Sequence, residues 1–273
     1  MLNYAFYPTD NRLSEYIFSY GTIDGYATEP YPLLSPPNGL TGFLIRIGKN
    51  DFDVVAQDFR GNPIAHQPSY VIGQITRPIT GYTVGPVKFL VVFFQPLGMC
   101  QLFGKKMSAL TDKSEDFFDF LGHATAQNLM EILKTDDNLE RQINVLNHFF
   151  LNLIPVKDDC AELKNVLQLV HASQGNISVI ELEEKSKINR RSLERSFQDK
   201  IGLTPKVYAQ VYRFKCAIQY LEQNPGLTWT DLSNKTEFFD QAHMIRYFKK
   251  YTKVSPNKLV TLDVELINFL LKY

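Results

Sequence analysis

Five polar side chains close together in the sequence have the types and the spacing to read DNA. Arg191, Glu194, Arg195 and Gln198 follow one another at i, i+3, i+4 and i+7, so on a helix they share one face. Guanidinium, carboxylate and amide groups can hydrogen-bond the base edges in a major groove. Arg190 belongs to the same group. An ordinary solvated helix face gives the same pattern, so this segment alone does not decide between the two interpretations.

The residues around these side chains predict two short helices joined by a tight turn. Ser178 and Glu181 have the spacing of a capping box, which predicts a helix from Val179 to about Ser186. A second helix begins near Asn189, a residue type that caps helices well. Its inward face carries apolar residues at i, i+4 and i+8, namely Leu193, Phe197 and Ile201.

The pattern occurs twice, which favours the interpretation as a DNA-binding unit. Residues 195–205 align without a gap on residues 246–256, an offset of 51 residues. Upstream, Leu193 matches Met244 and Leu182 matches Leu232. A repeat of this length is typical of a supersecondary unit used twice, here a helix-turn-helix.

Two such units, each closing with Arg-x-Phe and then Leu/Val-Thr/Ser-Pro, resemble the AraC/XylS family of bacterial transcription regulators over Cys160–Val260. The resemblance implies a long helix that joins the units and places two recognition helices in successive major grooves. Thr204, Pro205 and the unbroken run 206–223 fit that joining helix. It also implies double-stranded DNA as a partner, with RNA polymerase, a small-molecule effector and a second copy of the chain as further candidates.

Carried over by position, Arg191, Glu194 and Arg195 match the base-facing sites of the first unit. The outward set in the second unit comprises Gln241, Ala242, Ile245, Arg246 and Lys249. Ala242 and Ile245 cannot hydrogen-bond a base, although they can contact a thymine methyl group. The second unit is therefore expected to read less sequence than the first. Arg195 and Arg246 have an alternative role as partners of neighbouring carboxylates.

Charge is distributed unevenly along the 273 residues, although the net charge is zero. Residues 1–155 carry 11 Lys and Arg against 15 Asp and Glu, whereas residues 156–260 carry 17 against 12. The basic excess coincides with the two repeated units, as phosphate neutralisation requires. Three widely spaced cysteines, the polar start of the chain and the lack of a membrane-length apolar run predict a cytoplasmic location.

The first part of the chain predicts β-structure. Short runs rich in β-branched and aromatic residues are bounded by Gly, Pro, Asn or Asp, and they cover residues 43–47, 52–55, 69–72 and 87–94. The segment 93–98, followed by 102–104, resembles the cupin-like N-terminal domain of one AraC-type subfamily. Arg46 and Arg77 abut these strands, where they either pair with nearby aspartates or meet an anionic ligand.

An enzyme is the alternative from a different class. Cupin enzymes hold a metal with an H-x-H pair, but His66 is the only histidine in the predicted barrel, so neither a metal centre nor a cofactor is expected. A DNA alkyl-repair protein would need an activated cysteine. Cys100 has no neighbouring His or Arg in the sequence and is predicted to be buried. No catalytic residue is assigned.

The predicted fold class is α+β. Residues 1–155 form a cupin-like β-barrel with helices, residues 156–260 an all-α double helix-turn-helix, and residues 261–273 a helical extension. Apolar residues recur at helical spacing between residues 98 and 154, where they either pack on the barrel or form a dimer surface.

Overall fold

The computed structural model describes residues 2–47, 53–57, 63–64, 69–135, 137–156, 159–224, 231 and 241–253. Its first part is an antiparallel sheet of eight strands: β1 Leu2–Tyr7, β2 Ile17–Ser35, β3 Thr41–Arg46, β4 Asp53–Gln57, β5 Pro63–Ile64, β6 Tyr70–Ile72, β7 Ile79–Phe94 and β8 Ser114–Asp116. The strand order is β1-β2-β7-β3-β6-β8, and β4 joins both β7 and β5. The predicted strands are confirmed as β3, β4, β6 and β7, whereas β1, β2, β5 and β8 were not predicted.

The longest strand, β2, contains residues that usually interrupt a strand, which explains why sequence patterns miss it. Pro30 and Pro32 lie in its second half, where β1 no longer pairs with it and, among the described strands, only β7 does. On such an edge a proline leaves no ladder hydrogen bond unmade. The register with β7 shifts between Ala27 and Tyr31, so a bulge bends the strand there.

One face of the sheet carries the main hydrophobic core. It is covered by α1 Gly98–Phe103, α2 Phe117–Leu121, α3 His123–Thr135 and α4 Leu139–Leu151. Phe43 is fully buried at its centre, with ring centroids 4.8 Å from Phe94 and 5.3 Å from Phe117. The helical pattern predicted after residue 98 therefore packs on the sheet.

The C-terminal half is helical, which confirms the predicted α+β class. It contains α5 Ala161–Ala172, α6 Val179–Ser186, α7 Arg190–Lys200, α8 Pro205–Gln223 and α9 Gln241–Thr252. The predicted helical extension 261–273 and His66 lie outside the described residues. Within the described ranges, no helix is long and apolar enough to cross a membrane.

The two halves of the chain are in direct contact beside α7. The Thr111 hydroxyl donates a hydrogen bond to the carbonyl oxygen of Gly202. Gly202 has a φ of +93°, and a Cβ there would lie 3.0 Å from the carbonyl oxygen of Met107. Lys106 Nζ lies 3.8 Å from Asp199 Oδ2. The part of the chain before residue 156, called the sheet half below, thus holds the C-terminal end of α7.

Further contacts connect the sheet half with both repeated units. Lys164 of α5 forms an ion pair with Glu15. Leu97 is buried in the apolar core of the first unit, and Leu34 of β2 packs against the core of the second. These contacts cross the predicted division of the chain between residues 155 and 156. The position of that division stays a prediction.

Candidate nucleic-acid interface

The turn between α6 and α7 is fixed by caps that the sequence predicts. The Ser178 backbone N–H donates to Glu181 Oε2 at 2.8 Å, and the Glu181 N–H donates to Ser178 Oγ at 3.2 Å. Lys187 ends α6 in the left-handed region, with φ +60°. Asn189 Oδ1 then accepts from the Ser192 N–H at 3.0 Å, which caps α7. These bonds determine the direction in which α7 leaves the turn.

The inner face of α7 is fully buried, which confirms the predicted packing of Leu193, Phe197 and Ile201. On its outer face Arg191 and Arg195 are exposed, and neither forms an ion pair with any described residue. Both guanidinium groups are therefore available for an external acceptor.

Three of the predicted DNA-facing side chains of the first unit have partners within the unit. Arg190 Nε lies 2.9 Å from Glu194 Oε1, an i,i+4 ion pair. Gln198 Nε2 donates to the carbonyl oxygen of Gly202 at 3.3 Å. Arg190 and Glu194 lie on the surface, so their pair can open when a base competes for either group.

The second unit presents a comparable helix, α9. Met244, Phe248 and Tyr251 are fully buried as predicted, and the Phe248 ring lies 5.4 Å from that of Phe214 in α8. Of the predicted outward residues, Ala242, Arg246 and Lys249 are exposed and Ile245 is half-buried. Gln241 is the first residue of α9.

The joining helix α8 forms part of both apolar cores. Its Thr204 Oγ1 accepts from the Val207 N–H at 3.3 Å, as the sequence predicts. Tyr208 and Ala209 pack into the first core, whereas Val211 and Phe214 pack into the second. A continuous helix between the units keeps α7 and α9 at a fixed separation.

Comparison with known families supports this architecture. Residues 182–261 match the family described as helix-turn-helix domain, and residues 5–116 match a domain of unknown function (DUF6597). The C-terminal half carries an AraC-type helix-turn-helix domain. The Msm operon regulatory protein of Streptococcus mutans is 30% identical over 99 residues, which are 36% of this chain and 35% of that protein. The match thus spans about a third of this curated relative.

Two solved structures of ToxT from Vibrio cholerae are also similar. The unsaturated fatty acid bound form is 13% identical, with a TM-score of 0.49 over 89% of this chain and 94% of that one. An apo form is 11% identical, with a TM-score of 0.48 over 94% and 99%.

The AraC-type domain also contains a half-buried histidine, His171, packed against two tyrosines that the sequence does not place beside it. His171 Nε2 lies 2.9 Å from the Tyr208 hydroxyl, and its ring stacks on Tyr212 at 4.3 Å. Burial, assisted by the charge of Lys215, lowers the pKa of His171 to about 4. The partners come from α8, thirty-seven or more residues away in the chain, so no local pattern signals the contact.

We expect this histidine to destabilise the protein in mild acid. The neutral form is favoured in the fold, whereas an unfolded histidine titrates near its ordinary value of about 6.5. The contribution of neutral His171 to the free energy of unfolding is therefore complete above about pH 6.5, and it is lost as the pH falls towards about 4. This loss of stability is measured by the melting temperatures of His171→Gln and wild-type protein at pH 7, 5.5 and 4.5. If the melting temperatures of both proteins fall equally with pH, then His171 does not cause the loss.

The described residues provide neither a metal-binding cluster nor an activated cysteine thiol. They contain no cluster of three or more His, Cys, Asp or Glu able to hold a metal ion. Burial raises the pKa of Cys100, and it raises that of Cys160 to about 12. A raised pKa lowers the thiolate fraction that methyl transfer from damaged DNA would require.

Proposed function

We propose that this protein is a sequence-specific DNA-binding transcriptional regulator of the AraC type. The observation that carries the proposal is the geometry of α7, which buries one face in its own core and presents Arg191 and Arg195 on the other. Arginine can bind guanine O6 and N7 with two hydrogen bonds, the most common specific contact in the major groove. The basic excess of this half supplies attraction to phosphates.

The two units are proposed to contribute unequally to base recognition. The first presents Arg191 and Arg195 for hydrogen bonds, with Arg190, Glu194 and Gln198 able to join when their internal bonds open. The second presents Gln241, Ala242, Ile245, Arg246 and Lys249. Ala242 and Ile245 suit a thymine methyl group, so we expect weaker sequence preference in the half of the operator that α9 contacts.

The sheet half is proposed to sense a small-molecule effector or to mediate dimerisation. The sheet face opposite the helices carries a second apolar cluster, which includes Phe89, Val91 and Phe93. Arg46 pairs in register with Phe89, so its side chain falls on that face. This cluster is where we place the effector. RNA polymerase as a partner and a cytoplasmic location belong to the same proposal.

Removal of either exposed arginine of α7 should weaken specific binding while the fold stays intact. We expect Arg191→Ala and Arg195→Ala each to cost about 1–3 kcal/mol on the selected site and to relax its sequence preference. Fluorescence anisotropy on specific and scrambled duplexes measures both effects. Lys134→Ala, on the exposed side of α3, serves as the control. Wild-type affinity in both arginine variants would refute the assigned face.

Selection of bound sites from random duplex DNA tests the function itself. We expect an enriched motif with two elements about one helical turn apart, because α8 links two recognition helices. A motif with a single element would mean that only one unit reads bases. Lack of enrichment with full-length protein would count against sequence-specific regulation by this chain alone.

A further inference from the structure

The residue that follows α7 differs from its counterpart after α9, although the two have a similar backbone conformation. Gly202 aligns with Lys253 in the repeat, and both lie in the left-handed region, with φ of +93° and +62°. A lysine thus occupies in the second unit a conformation that usually favours glycine. Positive φ alone therefore does not require glycine at residue 202.

The space beside Gly202 gives a further reason for the glycine. Gly202 is buried, whereas Lys253 is exposed. A Cβ at residue 202 would lie 3.0 Å from the carbonyl oxygen of Met107 and 3.1 Å from the hydroxyl oxygen of Thr111. Both atoms belong to the sheet half. Residue 202 thus lacks a side chain where the sheet half packs most closely on the end of α7.

A second difference between the repeats concerns charge. Asp199 of α7 aligns with Lys250 of α9. Lys106 Nζ of the sheet half lies 3.8 Å from Asp199 Oδ2, so a lysine in place of Asp199 would repel Lys106. The pair lies on the surface and contributes little to stability, but its sign suits the contact. Both differences fit a first unit whose helix end receives the sheet half.

The segment of the sheet half that meets α7 is itself held firmly. The 3₁₀ helix Met107–Leu110 buries both of its end residues in the main hydrophobic core. On the other side of Thr111, the carboxylate of Asp112 accepts hydrogen bonds from the Thr76 N–H and hydroxyl, at 2.6 and 2.8 Å. Thr111 lies between these two anchors, so its hydroxyl is a donor with a fixed position.

Thr111 shares its acceptor with a predicted DNA-facing side chain. The Thr111 hydroxyl donates to the carbonyl oxygen of Gly202, and Gln198 Nε2 donates to the same oxygen at 3.3 Å. A carbonyl oxygen has two lone pairs and can accept both bonds. Gln198 follows Arg195 by three residues, so the two side chains lie on one face of α7. The sheet half therefore fixes the atom to which Gln198 is bound.

We propose that Thr111 and Gly202 are positioning residues for the recognition of DNA by α7. Their contact holds the end of the helix and the Gln198 side chain in one arrangement, in which Arg191 and Arg195 stay exposed. Side chains that read bases must be held in a defined geometry, because hydrogen bonds to base edges are directional. The inference rests on the proposed function and extends it, because the sheet half then contributes to the sequence specificity of the first unit.

Thr111→Val in the full-length protein removes the hydroxyl group and nearly preserves the side-chain shape. On the selected duplex we expect an affinity loss of about fivefold or more, measured by fluorescence anisotropy. On a mixed-sequence duplex the affinity should stay within about twofold of wild type, since attraction to phosphates carries no sequence information. Thr111→Ser keeps the hydroxyl and should keep the wild-type ratio of the two affinities. Thr125→Val, on the exposed side of α3, is the matched control.

Gly202→Asn tests the same contact from the other side. Asparagine tolerates the left-handed region, but its side chain meets Met107 and Thr111, so the same selective loss is expected. A lower melting temperature with an unchanged ratio of the two affinities, in either Thr111→Val or Gly202→Asn, would overturn the inference, because the contact would then be merely structural.

A double-mutant cycle locates the effect on α7. Thr111→Val and Arg195→Ala should be non-additive on the selected duplex, since both act on the contacts that α7 makes. Thr111→Val and Arg246→Ala should be additive, since Arg246 belongs to α9. Additivity with both arginines, or equal coupling to both, would mean that Thr111 does not position α7.

Failure of the proposed function gives a different result. If wild-type protein selects no site and Arg191→Ala and Arg195→Ala leave binding unchanged, then the regulator assignment is wrong and the positioning role is wrong with it. If those arginine variants lose binding while Thr111→Val keeps the wild-type ratio, the regulator assignment stands and only the positioning role is wrong.

Discussion

Replacement of Phe197 by alanine is expected to destabilise the AraC-type domain by about 3–5 kcal/mol. The side chain is fully buried in α7, and its ring centroid lies 6.1 Å from that of Tyr208 in the joining helix. Truncation removes buried apolar surface and leaves a cavity that α7 and α8, held by their caps, cannot close. Urea unfolding followed by circular dichroism measures the loss as a lower midpoint.

Ile180→Ala is the matched control for this experiment. Ile180 lies on α6 in the same unit, but its side chain is 63% exposed. Its truncation should change the free energy of unfolding by less than about 0.5 kcal/mol. Equal midpoints for Phe197→Ala and Ile180→Ala would mean that the inner face of α7 is not a packed core.

Substitution of Gly175 by alanine should have an effect of similar size for a different reason. Gly175 has a φ of +78°, and a Cβ there would lie 2.3 Å from the carbonyl oxygen of Ala209 and 2.7 Å from the backbone nitrogen of Arg213. The left-handed conformation costs about 1–2 kcal/mol, and displacement of the α8 backbone costs about 1–3 kcal/mol more. We expect a total loss of about 3 kcal/mol.

Gly104→Ala isolates the conformational part of that loss. Gly104 has a φ of +64°, but a Cβ there meets nothing within 4 Å. Its substitution should therefore cost only the left-handed strain, about 1–2 kcal/mol. If Gly175→Ala and Gly104→Ala lower the melting temperature equally, then α8 does not pack as closely on residue 175 as the structure indicates.

The helices of the first unit could be predicted from the sequence because their signals are local. Ser178, Glu181 and Asn189 cap through residues no more than three positions away, and the apolar stripe of α7 repeats within three turns. The close approach of Gly175 to Ala209 could not be predicted, because that contact depends on how two distant segments pack.

The long-range features of the candidate interface could not be predicted. The strands β1 and β2 lack the bounded apolar runs that identify a strand, and the prolines of β2 suggest a loop. Thr111 is separated from Gly202 by 91 residues, so nothing local places them together. Whether Arg190, Glu194 or Gln198 faces a base or a neighbouring protein group likewise depends on bonds that sequence spacing alone does not fix.

The hydrogen bond from Thr111 to Gly202 has a thermodynamic consequence for both halves of the chain. A molecule that binds the sheet half and changes how Thr111 meets Gly202 changes the free energy of the arrangement in which α7 is proposed to contact DNA. Linkage makes this coupling reciprocal: DNA must change the affinity of the sheet half for that molecule by the same factor. A molecule bound to the sheet half would therefore change the dissociation constant of the protein for DNA, and bound DNA would change the dissociation constant for that molecule.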